Sequence, residues 1–231
     1  MTSAAAPGEP TGHSSDTGLR ADAERNRDRI LAAARRLYAT EGLGVSMAAV
    51  AREAGVGKAT LSRRFATPED LITAVFADRM DAYAEAAATA LADPDPWRGF
   101  IGYVEAVCGM QAADRGFADV LTMAFPTAKA LENRRVEAYG NFLDLIARAK
   151  ATGYLREDFT DRDLPILLMA NAGVVAATQD AAADAWQRLV GHMIRAFAAP
   201  GAPLPALPDA PTPSALFRAM VRLTRPRPGR A

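Results

Sequence analysis

The chain has 231 residues, 50% of them hydrophobic, with 27 basic and 27 acidic side chains and a single cysteine, Cys108. That content suffices for one large core, or for a small domain joined to a larger one, and one cysteine excludes an intramolecular disulfide. No apolar run approaches the roughly 18 residues of a membrane-spanning helix. The amino terminus lacks the basic start and apolar stretch of a secretory signal, so a cytoplasmic protein is expected.

Residues 1–20 are Gly, Pro, Ser, Thr and Ala with few large apolar groups, a composition that predicts a disordered tail. From Ala21 onward Ile30, Ala34, Leu37 and Tyr38 recur at helical spacing, with Leu31 widening the stripe, until Gly42 and Gly44 end the helix. Ser46 is placed to cap a second helix. In it Met47, Val50, Ala51 and Ala54 fall at i, i+3, i+4 and i+7, and Gly55 permits a left-handed stop. A third helix is expected over Lys58–Phe65. "TPEDL" opens a fourth, with Thr67 as cap, Pro68 in the first position and Glu69 and Asp70 in the first turn, running to about Leu91. Further helices are expected over 97–112, 117–123, 127–151, 161–178 and 181–198. Six prolines between Pro200 and Pro213 read as an extended linker, followed by one or two helical turns over 214–224. The expected architecture is all-α: a head over 21–70, a body over 71–199 and a Pro/Arg-rich tail over 200–231.

Charge is unevenly distributed along this layout. Residues 20–65 carry ten basic and five acidic side chains, whereas residues 66–215 carry twelve and twenty. The last sixteen residues hold five arginines and no acid. A basic head on an acidic body suggests a polyanion as partner for the head, although a charge run is more commonly a solvated face.

"EAGVGKATLSRRF" (Glu53–Phe65) focuses that reading. Helix, glycine turn, helix, with another helix behind, is the outline of a helix-turn-helix. Leu61 and Phe65 are four apart and share one face. Ala59, Thr60, Ser62 and Arg63 lie away from it or beside it. Short side chains admit the helix to the major groove, about 12 Å wide, and Lys58, Arg63 and Arg64 supply cations for phosphates or guanine edges. Ser46 serves either as a cap or as a phosphate contact, and Arg25, Arg27 and Arg29 either as a solvated helix start or as an arm along the DNA.

The stretch Arg29–Phe76 resembles the amino-terminal domain of the TetR family of bacterial transcriptional regulators. The resemblance rests on "ILAAARRLYATEG", "SMAAVAREAGV", "GKATL", Phe65 and "TPEDL" taken together. It implies a homodimer with paired recognition helices on a palindromic double-stranded operator, an all-helical ligand-binding and dimerisation domain, and repression relieved by a small-molecule effector. It also implies DNA contacts at Ser46, Lys58, Ala59, Thr60, Ser62 and Arg64, to which the basic pattern adds Arg63. The chain departs from the family pattern at Ser62, where tyrosine is usual, and at Pro68, where lysine is frequent. Both usual residues grip the backbone, and Arg63 and Arg64 are the expected substitutes.

The body shows no catalytic spacing of the HExxH, GxSxG, CxxC or P-loop kinds, and His13 and His192 are the only histidines. Asp158, Asp161 and Asp163 lack the glycine and final glutamate of a calcium loop, which favours helix capping. No cofactor, metal or enzymatic activity is therefore expected. By family analogy the effector pocket falls after Trp97, with Phe100, Tyr103, Val107, Met110, Phe117, Met123, Phe125, Leu168 and Asn171 as candidate lining, each equally readable as core. Ala170, Gly173, Val174, Ala177, Leu189, Met193, Ala196 and Phe197 form small-residue stripes suited to close approach across a twofold axis. Two other readings stand beside the regulator: a helical interaction protein with weakened DNA binding, and an enzyme reusing the fold.

Overall fold

One apolar seam organises the amino-terminal third. Ile30, Leu31, Ala34 and Tyr38 from the first helix meet Val50, Ala51 and Ala54 from the second and Leu61 from the third, all buried. The structure, a computed structural model, describes residues 14–178 and 180–224. Here α1 is Ser14–Glu41, α2 Met47–Ala54 and α3 Lys58–Arg64. The local signals explain the boundaries. Ser46 Oγ accepts from the Ala49 amide, and Gly55 ends α2 at φ 64°, a left-handed conformation that a side chain resists. Phe65 closes α3 and is buried.

α1 begins seven residues before the expected boundary, so residues 14–20 are helical where composition predicted no structure. The anchored half of α1 supplies the nucleus, and each added residue then gains a backbone hydrogen bond without a new nucleation cost. An i,i+3 pair between Asp22 and Arg25 adds local support. The rest of the expected amino-terminal tail, residues 1–13, lies outside the described residues, as do the arginines of 225–231.

α4 (Pro68–Ala92) carries the full capping box, Thr67 with Asp70, and is the axis of the body. It packs against α1, α5 (Pro96–Ala113) and α7 (Lys129–Ala151). Between the last two runs the short α6 (Arg115–Thr122), and α8 (Asp163–Thr178) and α9 (Ala185–Phe197) close the bundle. Among the described residues there is no strand, only an isolated antiparallel bridge between Leu155 and Ala198. Trp97, Phe100, Phe159 and Phe197 form an aromatic chain through the body, stacked at 5.7 Å and edge-on at 5.2 and 4.9 Å.

The proline-rich segment is a docked strap, not a free linker. Trp97 Nε1 donates to the Pro203 carbonyl at 2.7 Å, Arg195 to Pro205 at 2.9 Å and Arg188 to Pro208 at 2.6 Å. It leads into α10 (Pro213–Leu223), three turns where one or two were expected, capped by Thr212 and lying on α8. Ala215 and Ala219 face inward, while Phe217, Met220 and Leu223 are 63%, 57% and 61% exposed.

Candidate nucleic-acid interface and ligand cavity

α3 presents its polar side outward. Lys58, Ala59, Ser62 and Arg63 are exposed, as is Ser46 at the start of α2. Two expected groove residues are placed differently. Thr60 is half-buried in a crevice that it shares with Ala23, Asn26 and Ile30 of α1. Arg64 donates to the Ala23 carbonyl at 2.8 Å, which ties α3 to the early part of α1. Arg36 of α1 pairs with Glu53 of α2 at 2.9 Å. These bonds fix the angle at which α3 leaves the head. Arg25 and Arg29 are engaged within α1 by Asp22 and Asn26.

The head meets the body through α6. Arg115 donates to the Thr40 carbonyl at 3.0 Å, and the Leu43 amide donates to Asp119 at 3.3 Å. Gly42, at φ 80°, keeps the turn low enough for that contact, since a Cβ there would lie 2.8 Å from Asp119 Oδ2. Beneath, Tyr38 of α1 stacks on Phe76 of α4 at 6.0 Å, and Phe76 meets Phe117 of α6 in a tilted pair at 6.1 Å. A displacement of α6 therefore acts directly on the end of α1.

The other end of α6 borders a cavity of about 430 Å³ between α4, α6, α7 and α8, within the range of small-molecule sites, about 300–1,000 Å³. Leu121, Phe142, Leu164 and Leu168 supply apolar wall; Tyr83, Arg135 and Tyr139 supply polar groups. Arg135 holds the carboxyl end of α6, donating to the carbonyls of Val120 at 2.6 Å and Met123 at 3.0 Å. Tyr139 donates to Asp161 at 2.9 Å across the cavity rim.

Of the nine lining candidates, Met123 and Leu168 border this cavity. Phe100, Val107 and Phe117 are fully enclosed in the core, and Phe125 is 7% exposed; their bulk is spent on helix packing. Met110 packs partly buried against the same core. Tyr103 is enclosed behind the wall, its ring 6.4 Å from Tyr83 and 5.3 Å from Phe142. Asn171 is buried and donates to Cys108 O at 3.1 Å and Gln111 Oε1 at 3.0 Å, so it cross-links α5 and α8. Sequence reasoning missed Arg135, Tyr139 and Phe142. Their i, i+4, i+7 spacing on α7 was a visible signal for one shared face.

On the dimerisation candidates, Ala170, Gly173 and Ala196 are exposed and Val174, Ala177, Leu189 and Met193 half-buried. Phe197 instead packs inward on Phe159. α8 also exposes Ile166 and Met169, 63% and 58%. Among the described residues no group of acidic, histidine or cysteine side chains could hold a metal ion, and no helix is long and apolar enough to cross a membrane.

Comparison with known proteins places these features. Residues 30–75 match the family of bacterial regulatory proteins, tetR family. Residues 95–195 match the carboxy-terminal domain of SbtR-like transcriptional regulators. No curated protein matches the chain. A TetR transcription regulatory protein from Mycobacterium vanbaalenii is 30% identical over 78% of this chain and 99% of its own, with a TM-score of 0.45. Mycobacterium smegmatis AmtR covers 96% of this chain and 100% of its own at 19% identity and TM-score 0.55. PfmR from Thermus thermophilus, a TetR family regulator, covers 74% and 94% at 17% identity and TM-score 0.53. With family matches across both the helix-turn-helix head and the helical body, the chain belongs to the TetR family and is a DNA-binding transcriptional regulator.

Proposed function

We propose that the chain is a homodimeric repressor, acting in the cytoplasm, that holds a palindromic operator with two α3 helices and releases it when a small molecule fills the cavity. Lys58, Ala59, Ser62 and Arg63 face the groove, Ser46 takes a phosphate, and Thr60 and Arg64 orient α3 from their seat on α1. The twofold axis runs along α8 and α9 where Ala170, Gly173 and Ala196 are exposed, with the apolar face of α10 beside them. Close approach across such stripes is how helical dimers pack.

The observation that carries the reading is α6. One helix of eight residues borders the cavity at Leu121 and Thr122 and holds the head at Arg115 and Asp119. A ligand that shifts α6 tilts α1, and with it the spacing of the paired α3 helices, which must span half-sites about 34–36 Å apart or a multiple of that distance. A coupling of about 1–3 kcal/mol is enough for a working switch. The mechanism calls for no cofactor and no bond-making step.

The test is titration of the full-length protein with duplex DNA from its own promoter region, across salt. Sequence preference with a steep salt slope is expected. Joint replacement Lys58→Ala and Arg63→Ala should flatten that slope by about 0.9 for each phosphate no longer neutralised. Equal affinity for scrambled duplex would remove the operator reading.

A further inference from the structure

The inner end of the cavity is rich in donors and poor in acceptors. Arg135 lines it, and the Arg135 Nε is enclosed without a hydrogen-bond partner. The guanidinium's other contacts are the two α6 carbonyls and Glu132, 3.7 Å from Nη1. Tyr83 lines the same end, and Tyr103, 1% exposed, lies behind it with the two rings 6.4 Å apart. Burial raises the Tyr83 phenol, and its Tyr103 and Arg135 neighbours pull back only part of that rise; burial lifts Tyr103 well above the ordinary phenol range. Both tyrosines therefore keep their protons at neutral pH and remain donors. The nearest carboxylate on the rim, Asp161, already accepts from Tyr139. An enclosed donor with no partner is unfavourable, and an acceptor brought against the Arg135 guanidinium relieves it.

Resting on the proposed reading of this cavity as the effector site, we infer that the effector is an apolar molecule ending in a carboxylate. The carboxylate accepts from Arg135 and from the Tyr83 hydroxyl, while Tyr103 donates to the Tyr83 oxygen from behind. The carbon frame lies against Phe142, Leu164 and Leu168. Charge-assisted bonds of this kind are the strong ones, and a neutral or cationic head on the same frame forgoes them. The contact also draws on the guanidinium that holds the last turn of α6, so the head group that gives affinity is the one that loosens the switch.

The test uses three probes with one carbon frame: octanoate, 1-octanol and octylamine, titrated calorimetrically into the full-length protein at neutral pH. Octanoate should bind at least tenfold more tightly than octanol, and octylamine more weakly than either. Tyr83→Phe, which keeps the ring, should cost octanoate at least fivefold and leave octanol within twofold. Arg135→Met should erase the preference; Tyr83→Phe keeps the test decisive if that variant does not fold. Octanol binding as tightly as octanoate, or both losing affinity together in Tyr83→Phe, overturns the carboxylate assignment and leaves the cavity as an effector site. Failure of all three to bind at millimolar concentration overturns the cavity reading itself.

Discussion

Gly116 sets how closely α6 lies on the head, and its replacement by alanine pits two effects of opposite sign. Alanine is the better helix former, by roughly 0.5–1 kcal/mol over glycine. The new methyl, however, would lie 2.8 Å from Phe76 Cζ, 3.0 Å from Tyr38 Cβ and 3.2 Å from the Tyr38 carbonyl. Carbon contacts are comfortable at about 3.5–4.0 Å, so α6 must retreat by about half an ångström or more, from backbone as well as from side chain. Overpacking of this kind costs about 1–3 kcal/mol, and with three contacts too close at once the balance is a net loss of up to about 2.5 kcal/mol. The matched control is Gly140→Ala on α7, where nothing lies within 4 Å of the added atom and the helix gain stands alone. Thermal unfolding at fixed protein concentration reads both. One kcal/mol moves the midpoint by roughly 2–4 °C in a chain of this size, so Gly116→Ala should melt lower than the parent and Gly140→Ala higher. Operator affinity should fall in the first and hold in the second. Gly116→Ala melting at or above the parent would refute the claim that α6 is seated by contact at this point.

Cys108 is fully enclosed, and burial pushes its thiol up to about 12. Iodoacetamide at pH 8 should therefore leave it unmodified in the native protein and label it on denaturation, read by mass spectrometry; labelling at the rate of a free thiol would contradict its enclosure. Thr67→Ala removes half of the α4 capping box and should cost about 1 kcal/mol in urea unfolding with an unchanged denaturant slope. Phe217→Asp with Met220→Asp places charge on the exposed face of α10. It should weaken the proposed dimer at least tenfold by sedimentation while the monomer's helix content is retained, and an unaltered dimer would take α10 out of the interface.

The head was legible because its signals are local. Ser46, Gly55, Thr67 and Asp70 act on backbone groups within four residues, and the Ile30–Tyr38 and Met47–Ala54 stripes follow from helical period alone. The cavity was not. Phe100, Val107 and Phe117 have the character of ligand walls, but size and apolarity serve a core equally well, and only tertiary placement separates the two. Arg135 gave no local cue beyond its spacing to Tyr139 and Phe142, since the α6 carbonyls it holds lie twelve and fifteen residues away. The strap misled for a related reason. Prolines forfeit their own N–H groups, which looks like a linker in one dimension, while their carbonyls remain open to donors such as Arg188, Arg195 and the Trp97 indole.

Those three donors bear on where the protein can be shortened. Trimming the chain after Ala199, as though the proline-rich segment and α10 were dispensable, would strip cover from Trp97 and Gly191, against which Leu207 and Pro208 lie. It would also leave the N–H groups of Trp97, Arg188 and Arg195 facing water at the foot of the bundle. Residues 200–224 are thus part of the bundle's wall, and a fusion or affinity tag belongs beyond Thr224, not in place of the strap.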